Sequence, residues 1–273
     1  MLKSYAKVNL FLNVVGRRSD KYHNLQSYCV LLNLADQIDI QSSKSTECLV
    51  ENHVSITDNL ILKVIDYINR LYQTQKSVKI CIKKYIPIGS GLGGGSSNAA
   101  AVLKILPKLW SVPKLNTNHL HQIAFTIGAD IPFFYYNQNS LIEGIGEKIT
   151  PIHHNGTAFI LLINPMIKIM TKEIYPLINT YVSSKILSTK EQIINEVLYG
   201  KNDLERYVRN KYQTVDDLLH FMKKQTNCLV SRMSGSGSTC FALFQKQDDL
   251  INAKQEFLKV NKNFWIHHEK IYI

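Results

Sequence analysis

The 273-residue sequence predicts a mixed helix-and-strand protein with a substantial apolar core, divided into two halves at residues 151–156. Three observations carry this prediction. Hydrophobic residues make up 45% of the chain and charged residues 19%, the balance of an ordinary folded protein. Apolar residues recur with both the two-residue period of strands and the 3.6-residue period of helices, on each side of the boundary. Between residues 78 and 106 a strand pattern, five glycines within seven positions and a helix pattern follow in order.

Taking the elements along the chain, Ala6, Val8, Leu10, Leu12 and Val14 alternate with Lys7, Asn9, Phe11 and Asn13, so a first strand would bury one face. The other face then carries Lys7, Asn9 and Asn13, an unusual set for a strand because asparagine is depleted there; a solvated edge accounts for it equally well. Residues 16–21 read as a polar turn. Residues 30–34, then Ile38 and Ile40, predict two more strands around a turn at Ala35-Asp36. Leu60, Ile61, Val64, Ile65, Ile68 and Leu71 have helical spacing, with Asp58 or Asn59 as cap. Val78, Ile80 and Ile82 alternate with Lys79, Cys81 and Lys83 as the strand entering the glycine stretch. Beyond it, residues 99–106 are mostly good helix formers, Ser96, Ser97 or Asn98 can cap them, and Pro107 is expected to kink or end the helix. Residues 118–125 predict a short helix ending near Gly128, and Asp130 follows as an acid among apolar residues.

In the second half, residues 157–164 have a buried-strand pattern, residues 190–199 and 215–224 are helical, and a strand covers 228–233. A second small-residue loop, Ser234-Gly235-Ser236-Gly237-Ser238-Thr239, runs into a strand at 240–244. It is expected to close over the same ligand as the first loop, although in isolation a plain turn between strands explains it as well. A helix at 248–258 and a strand at 265–273 complete the chain, which has no internal repeat.

Glycine lets the backbone adopt positive φ and approach a ligand, and a helix start adds unpaired N–H groups and the positive end of its dipole. The glycine stretch therefore reads as a phosphate cradle. Gly89-x-Gly91-x-x-Gly94 has the spacing of a dinucleotide-binding turn, but that reading needs an acid about 20 residues further on. No Asp or Glu occurs between Asp66 and Asp130, and the Gly-Lys-Ser/Thr ending of a Walker loop is missing. A flexible linker is disfavoured because linker glycines seldom separate a strand pattern from an apolar helix.

The 32 basic and 21 acidic residues give a net charge of +11, which favours nucleic acid, acidic membranes or phosphorylated metabolites as partners. The lysines are spread along the chain, which weighs against nucleic acid. Five widely spaced cysteines without a Cys-x-x-Cys pair fit a reduced cytoplasmic compartment. The first 15 residues lack a signal peptide's apolar run, and the stretch at 158–167 is too short to span a bilayer, so no membrane partner is expected.

Three segments, Ala6-Lys7-Val8-Asn9-Leu10, residues 87–101 and Gly235-Ser236-Gly237, resemble the GHMP kinases, named for galactokinase, homoserine kinase, mevalonate kinase and phosphomevalonate kinase. Five ordered motifs narrow the resemblance: Lys7-Val8-Asn9-Leu10-Phe11-Leu12, Tyr22-His23-Asn24-Leu25-Gln26-Ser27, Asp58-Asn59-Leu60-Ile61, Gly93 through Ala100, and Gly128-Ala129-Asp130-Ile131-Pro132. Together they are similar to the branch of the family that acts on a cytidine-diphosphate-linked methylerythritol in non-mevalonate isoprenoid synthesis. The likeness is dense over residues 6–147 and sparser beyond, apart from Asn164-Pro165, Thr171 and residues 233–244.

The resemblance implies an α+β, two-domain GHMP-kinase-like fold with the active site between the domains. A ribosomal-protein-like N-terminal domain, residues 1–154, would bind ATP and carry catalysis; a ferredoxin-like C-terminal domain, residues 155–273, would bind substrate. The implied reaction moves the γ-phosphate of ATP to the substrate's 2-hydroxyl. Asp130 matches the family's general base and Lys7 the lysine paired with it, whereas read alone they are a turn residue before Pro132 and a solvated strand end. On the nucleotide side the matching positions are Pro87, Gly89, Ser90, Gly91, Leu92, Gly93, Gly94, Gly95, Ser96 and Ser97, with Asn59 and Lys84 near adenine. Substrate positions are Asn9, Thr171, Gly235, Ser236 and Gly237, with Tyr22 and Tyr175 flanking cytosine and His23 reading its edge. Magnesium is implied by ATP chemistry; no carboxylate ligand emerges, and Ser97 is the one oxygen donor that suggests itself. Ser90 and the serines at 234–238 depart from the family, where glycine, alanine or threonine is expected. Two readings stay open beside this one, a GHMP kinase of the mevalonate or homoserine type and a basic nucleic-acid-binding protein.

Overall fold

The structure is a computed structural model that describes residues 1–51, 59–153 and 156–273. Its first sheet contains β1 (Leu2–Arg17), β2 (His23–Ser43), β3 (Glu47–Val50), β4 (Ser77–Lys83), β5 (Ser140–Gly144) and β6 (Lys148–Pro151), in the order β3-β4-β2-β5-β6 with β1 paired to β2. β2 is the spine. It runs unbroken for 21 residues through Ala35-Asp36, where a turn was expected. The bend that the sequence suggests is absorbed instead by a register shift against β1 between Tyr5 and Lys7, a bulge that kinks the strand without reversing it.

Asp36 is completely buried. One of its carboxylate oxygens accepts the backbone N–H groups of Tyr85 and Ile86 at 2.8 and 2.9 Å, and the other accepts from Asn98 Nδ2 at 2.9 Å and pairs with Lys84 Nζ. On the edge of β2 facing away from β1, β5 covers residues 25–29 and β4 covers 37–43. Between them the N–H of Leu31 donates to Asn139, and those of Asn33 and Leu34 to Glu269, so side chains complete the ladder.

β1 is buried on both faces from Ala6 to Val14, which removes the solvated-edge reading of Lys7, Asn9 and Asn13. The second half closes its edge. Leu12 N–H donates to Lys201 O at 2.9 Å, Asp203 N–H to Leu12 O at 2.8 Å, and Val14 N–H to the Asp203 carboxylate at 2.8 Å.

Two helices rest on the first sheet. In α1 (Leu60–Leu71) the side chain of Asn59 caps the Ile61 N–H at 3.0 Å; Asp58, the other expected cap, lies outside the described residues. α2 (Gly94–Trp110) begins before its alanines, after Gly93 in the left-handed region, so Ser96, Ser97 and Asn98 are helical residues and not caps. Nor does Pro107 end the helix. It lies in the last turn, where its missing N–H costs a single bond, and the helix closes at Ser111 with Val112 N–H donating to Pro107 O at 2.9 Å. α3 (Thr117–Thr126) and the six-residue α4 (Ile131–Tyr136) lead to β5, and α4 is too short to show a period in the sequence.

The second sheet is antiparallel, in the order β10-β7-β9-β8, from β7 (Thr157–Asn164), β8 (Cys228–Met233), β9 (Cys240–Phe244) and β10 (Trp265–Tyr272). Five helices accompany it: α5 (Thr171–Ile174), α6 (Lys190–Tyr199), α7 (Glu205–Lys211), α8 (Gln213–Lys223) and α9 (Gln247–Val260). One apolar cluster joins Val8, Leu10 and Phe11 of β1 to Ile160, Leu162, Phe241 and Leu243 of the second sheet, while Leu12 and Val14 join the cluster beneath α8 and α9. The division expected at residue 154 falls outside the described residues.

Because removing one partner of a buried ion pair strands the other, Asp36→Ala should lower the unfolding free energy by about 3–5 kcal/mol, read as a lower urea midpoint at unchanged slope. A loss below about 1 kcal/mol would mean that Asp36 does not anchor the segment at 84–86.

Candidate active site

The glycine loop is held from below by Asp36 and Lys84. Lys84 Nζ bridges the Asp36 carboxylate and Asn98 Oδ1, the latter at 3.1 Å, and so ties the loop's entry to the first turns of α2. Above it lies the second small-residue loop. At Gly91 a Cβ would stand 2.2 Å from Ser234 O, so only glycine lets the two loops touch. Ser234 Oγ donates to Gly91 O at 3.1 Å and accepts Asn9 N–H at 3.2 Å, and Thr239 N–H donates to Ser90 O. Gly93 has φ +72°, and a Cβ there would meet the Phe134 ring at 2.6 Å, so this start of α2 excludes other residues on two counts.

The loops border a cavity of about 380 Å³. Its wall brings together Lys7, Asn9, Asn59, Lys84, Pro87, Gly89, Ser90, Gly91, Gly93, Gly94, Gly95, Ser96, Asp130, Thr171, Tyr175, Gly235 and Ser236. Five sequence-predicted residues lie outside that wall. Leu92 is core, and Gly237 packs against Met233 and Ile169. Ser97 is buried with its Oγ 2.8 Å from that of Ser4, so the hydroxyl suggested for magnesium is engaged elsewhere. Tyr22 is exposed and donates its hydroxyl to Phe125 O at 3.3 Å.

His23, the fifth, lies behind the wall with its ring centroid 5.2 Å from that of Tyr175 and 6.2 Å from that of Tyr181. Its Nε2 is buried and has no hydrogen-bond partner among the described residues. Burial, with the Arg17 charge as a smaller cause, holds its pKa below the ordinary 6.5, so the ring is neutral at pH 7. Burial also raises the Tyr175 phenol, and the charge of Asp130 adds to that shift.

Lys7 and Asp130 meet across the cavity, Nζ to Oδ2 at 3.6 Å, with the lysine side chain 5% and the aspartate 41% exposed. Asp130 occupies the position before the first residue of α4 but makes no capping bond, which leaves its oxygens to the cavity. Among the described residues it is the one carboxylate in the wall. Lys7 Nζ also donates to Asn9 Oδ1. A hydroxyl placed between this pair and the glycine loop would find a proton acceptor, a cation and a phosphate site within one enclosure. Among the described residues no group of three or more His, Cys, Asp and Glu side chains could cage a metal ion.

Sequence reasoning missed Asp36, which reads as a turn residue, and Ser27 and Cys29, which line the cavity from β2. The alternation along β2 places Ser27 and Cys29 on one face, a signal that shows once the pairing of β2 with β1 is known.

Family models for the GHMP kinases N terminal domain and the GHMP kinases C terminal match residues 59–138 and 187–263. Over 96% of its length the chain is 33% identical to 94% of the 4-diphosphocytidyl-2-C-methyl-D-erythritol kinase of Thermodesulfovibrio yellowstonii. It is 34% identical to the Clostridioides difficile protein of the same name, covering 97% of this chain and 93% of that one. Among solved structures, a 4-(cytidine 5'-diphospho)-2C-methyl-D-erythritol kinase superposes with a TM-score of 0.78 at 26% identity, over 100% of this chain and 99% of the other. Streptococcus pneumoniae phosphomevalonate kinase shares the fold at a TM-score of 0.68 and 15% identity, covering 99% and 98%.

Gly95 offers a clean test of the cradle. A Cβ there would meet only Leu60 Cδ1, at 4.0 Å, whereas one at Gly94 would press on Ile86 at 3.0 Å and Lys84 Nζ at 3.2 Å. Gly95→Val should keep the melting temperature within a few degrees while weakening ATP at least about tenfold by calorimetry, because the side chain occupies phosphate space. Unchanged affinity in the folded variant would remove the loop from the nucleotide site.

Proposed function

The chain belongs to the GHMP kinases, and from that premise we propose that it transfers the γ-phosphate of ATP to the 2-hydroxyl of 4-diphosphocytidyl-2-C-methyl-D-erythritol in isoprenoid precursor synthesis. The observation that carries the reading is the Lys7–Asp130 pair facing the glycine loop across one cavity. In this mechanism the loop's N–H groups and the start of α2 hold the phosphates. Asp130 Oδ2 accepts the hydroxyl proton while the alcohol oxygen bonds to the γ-phosphorus and the bond to the bridging oxygen of ADP breaks. Lys7 offsets the negative charge that develops on the alcohol oxygen. Magnesium would neutralise phosphate charge there and would be held chiefly by the nucleotide's own phosphates and water, since Asp130 is the one carboxylate in the wall among the described residues.

The base-binding side rests on His23 and Tyr175. A neutral imidazole with a buried, unpartnered Nε2 can donate on one nitrogen and accept on the other, which suits the edge of a cytosine. The substrates of mevalonate-type and homoserine-type relatives carry no base and have no use for it. Residues up to 154 would then supply the nucleotide and catalytic groups, and those from 155 onward Thr171, Tyr175, Gly235 and Ser236.

Coupled assays of ATP consumption against a panel of the cytidyl alcohol, mevalonate and homoserine should show turnover with the first alone; turnover with another member and not with this one would overturn the assignment. Asp130→Asn should lower kcat by about 100-fold or more with both substrates still bound. Near-normal kcat, shown by pre-steady-state kinetics to be limited by chemistry, would exclude Asp130 as the base.

His23→Ala should raise KM for the cytidyl alcohol and spare that for ATP; equal damage to both would place His23 elsewhere. The pH dependence has a defined sign. Because the folded ring titrates below 6.5, it stays neutral at and above that pH, and its contribution to stability and to base recognition is lost as pH falls through the depressed value. KM for the alcohol should accordingly rise on acidification in the wild type and stay flat in His23→Ala.

A further inference from the structure

Beneath the catalytic pair lies a short hydrogen-bonded chain whose direction is determined by proton counting. β1 and β2 pair Asn9 with Cys29 and Leu12 with Ser27, and the register shifts between Asn9 and Phe11. This bulge sets Ser27 and Cys29, successive residues on one face of β2, beneath the Asn9 amide. Ser27 Oγ donates to Phe11 O at 2.6 Å. A hydroxyl has one proton, so toward Asn9 the Ser27 oxygen can only accept, and it does so from Nδ2 at 2.8 Å. The same Nδ2 donates to Cys29 Sγ at 3.1 Å. Both amide hydrogens are thus committed to β2, and Oδ1 must face Lys7 Nζ, to which it is bonded. A reversed amide would set NH₂ against an ammonium and a carbonyl against an oxygen whose proton is already given away. Burial pushes the Cys29 thiol up to about 11, which keeps it a neutral acceptor and not a thiolate competing with Asp130 for Lys7.

We propose that Ser27, backed by Cys29, is a positioning residue for phosphoryl transfer: it orients the Asn9 amide so that Asn9 Oδ1 aims the Lys7 ammonium at Asp130. Ser27 acts through Asn9 and Lys7, although it also borders the cavity. The kinetic part of this inference rests on the kinase reading above; the hydrogen-bond chain does not.

Two measurements test it. In kinetics, Ser27→Ala should lower kcat about tenfold with KM for both substrates within about twofold, and it should add less than about twofold in an Asn9→Ala background. A loss of full size in that background, or one carried by the alcohol's KM, would overturn the positioning role. In the protein without substrate, selective ¹⁵N-asparagine labelling identifies the Asn9 side-chain amide by its absence from Asn9→Ala. Ser27→Ala should shift that resonance and speed its hydrogen exchange at least about tenfold; an unchanged resonance would overturn the proposal. Ser27→Cys keeps most of the volume and serves the same measurement, with the same expectation, if the alanine variant does not fold. Should the wild type fail to phosphorylate the cytidyl alcohol while the amide responds as expected, the functional reading falls and the orientation of Asn9 by Ser27 stands.

Discussion

A carboxylate taken wholly out of water is tolerated only when donors surround it, and Asp36 meets that condition with four: two backbone N–H groups, an amide and an ammonium. The donors come from separate parts of the chain, the strap that enters the glycine loop and the first turns of α2. One buried charge therefore sets how far the glycine loop stands from the sheet. Lys84 and Asn98, drawn in as its partners, also form part of the cavity wall, so the anchor and the site are one network.

Above that anchor, close approach does the work that side chains do elsewhere. The two small-residue loops touch at Gly91 and Ser234, and Ser234 Oγ links the first loop to the backbone of Asn9 in β1. Ser90 and Ser234, where the resemblance leads one to expect glycine, alanine or threonine, are accommodated in different ways. Ser234 contributes hydrogen bonds between the loops, and Ser90 receives the Thr239 N–H on its carbonyl while its side chain is buried. Ser234 thus joins the loops through its hydroxyl, whereas the bond at Ser90 is made by the backbone and would be available to any residue.

How much of this was legible depended on whether a signal was local. β7, β8, β9 and α6 lie at the bounds that periodicity predicts, because small or polar residues bracket each apolar pattern. The place of the glycine stretch was legible for a similar reason, since the patterns on either side of it read as a strand and a helix, and β4 and α2 flank it. Asp36 was misread because an aspartate after alanine looks the same whether water or four donors satisfy it, and those donors lie about fifty or more residues away. The cap of α2 was misplaced because a left-handed glycine can start a helix without a side-chain bond, which leaves nearby serines looking like better candidates. The motifs named Lys7 and Asp130, but their separation and their unequal exposure come from β1 being covered on both faces, a property of the assembled sheets.

The closure of β1 by the second half also bears on how the chain is made. Val14 and the Asp203 carboxylate that completes its edge are 189 residues apart in sequence. At roughly 5–20 residues per second, a ribosome leaves the first strand without that partner for roughly 10–40 s. A strand edge bare for so long invites pairing with another nascent chain, a tendency that lysine and asparagine within a strand oppose. Lys7, Asn9 and Asn13 are residues of the kind that oppose such pairing, and two of them, Lys7 and Asn9, line the cavity once the second half has closed over β1.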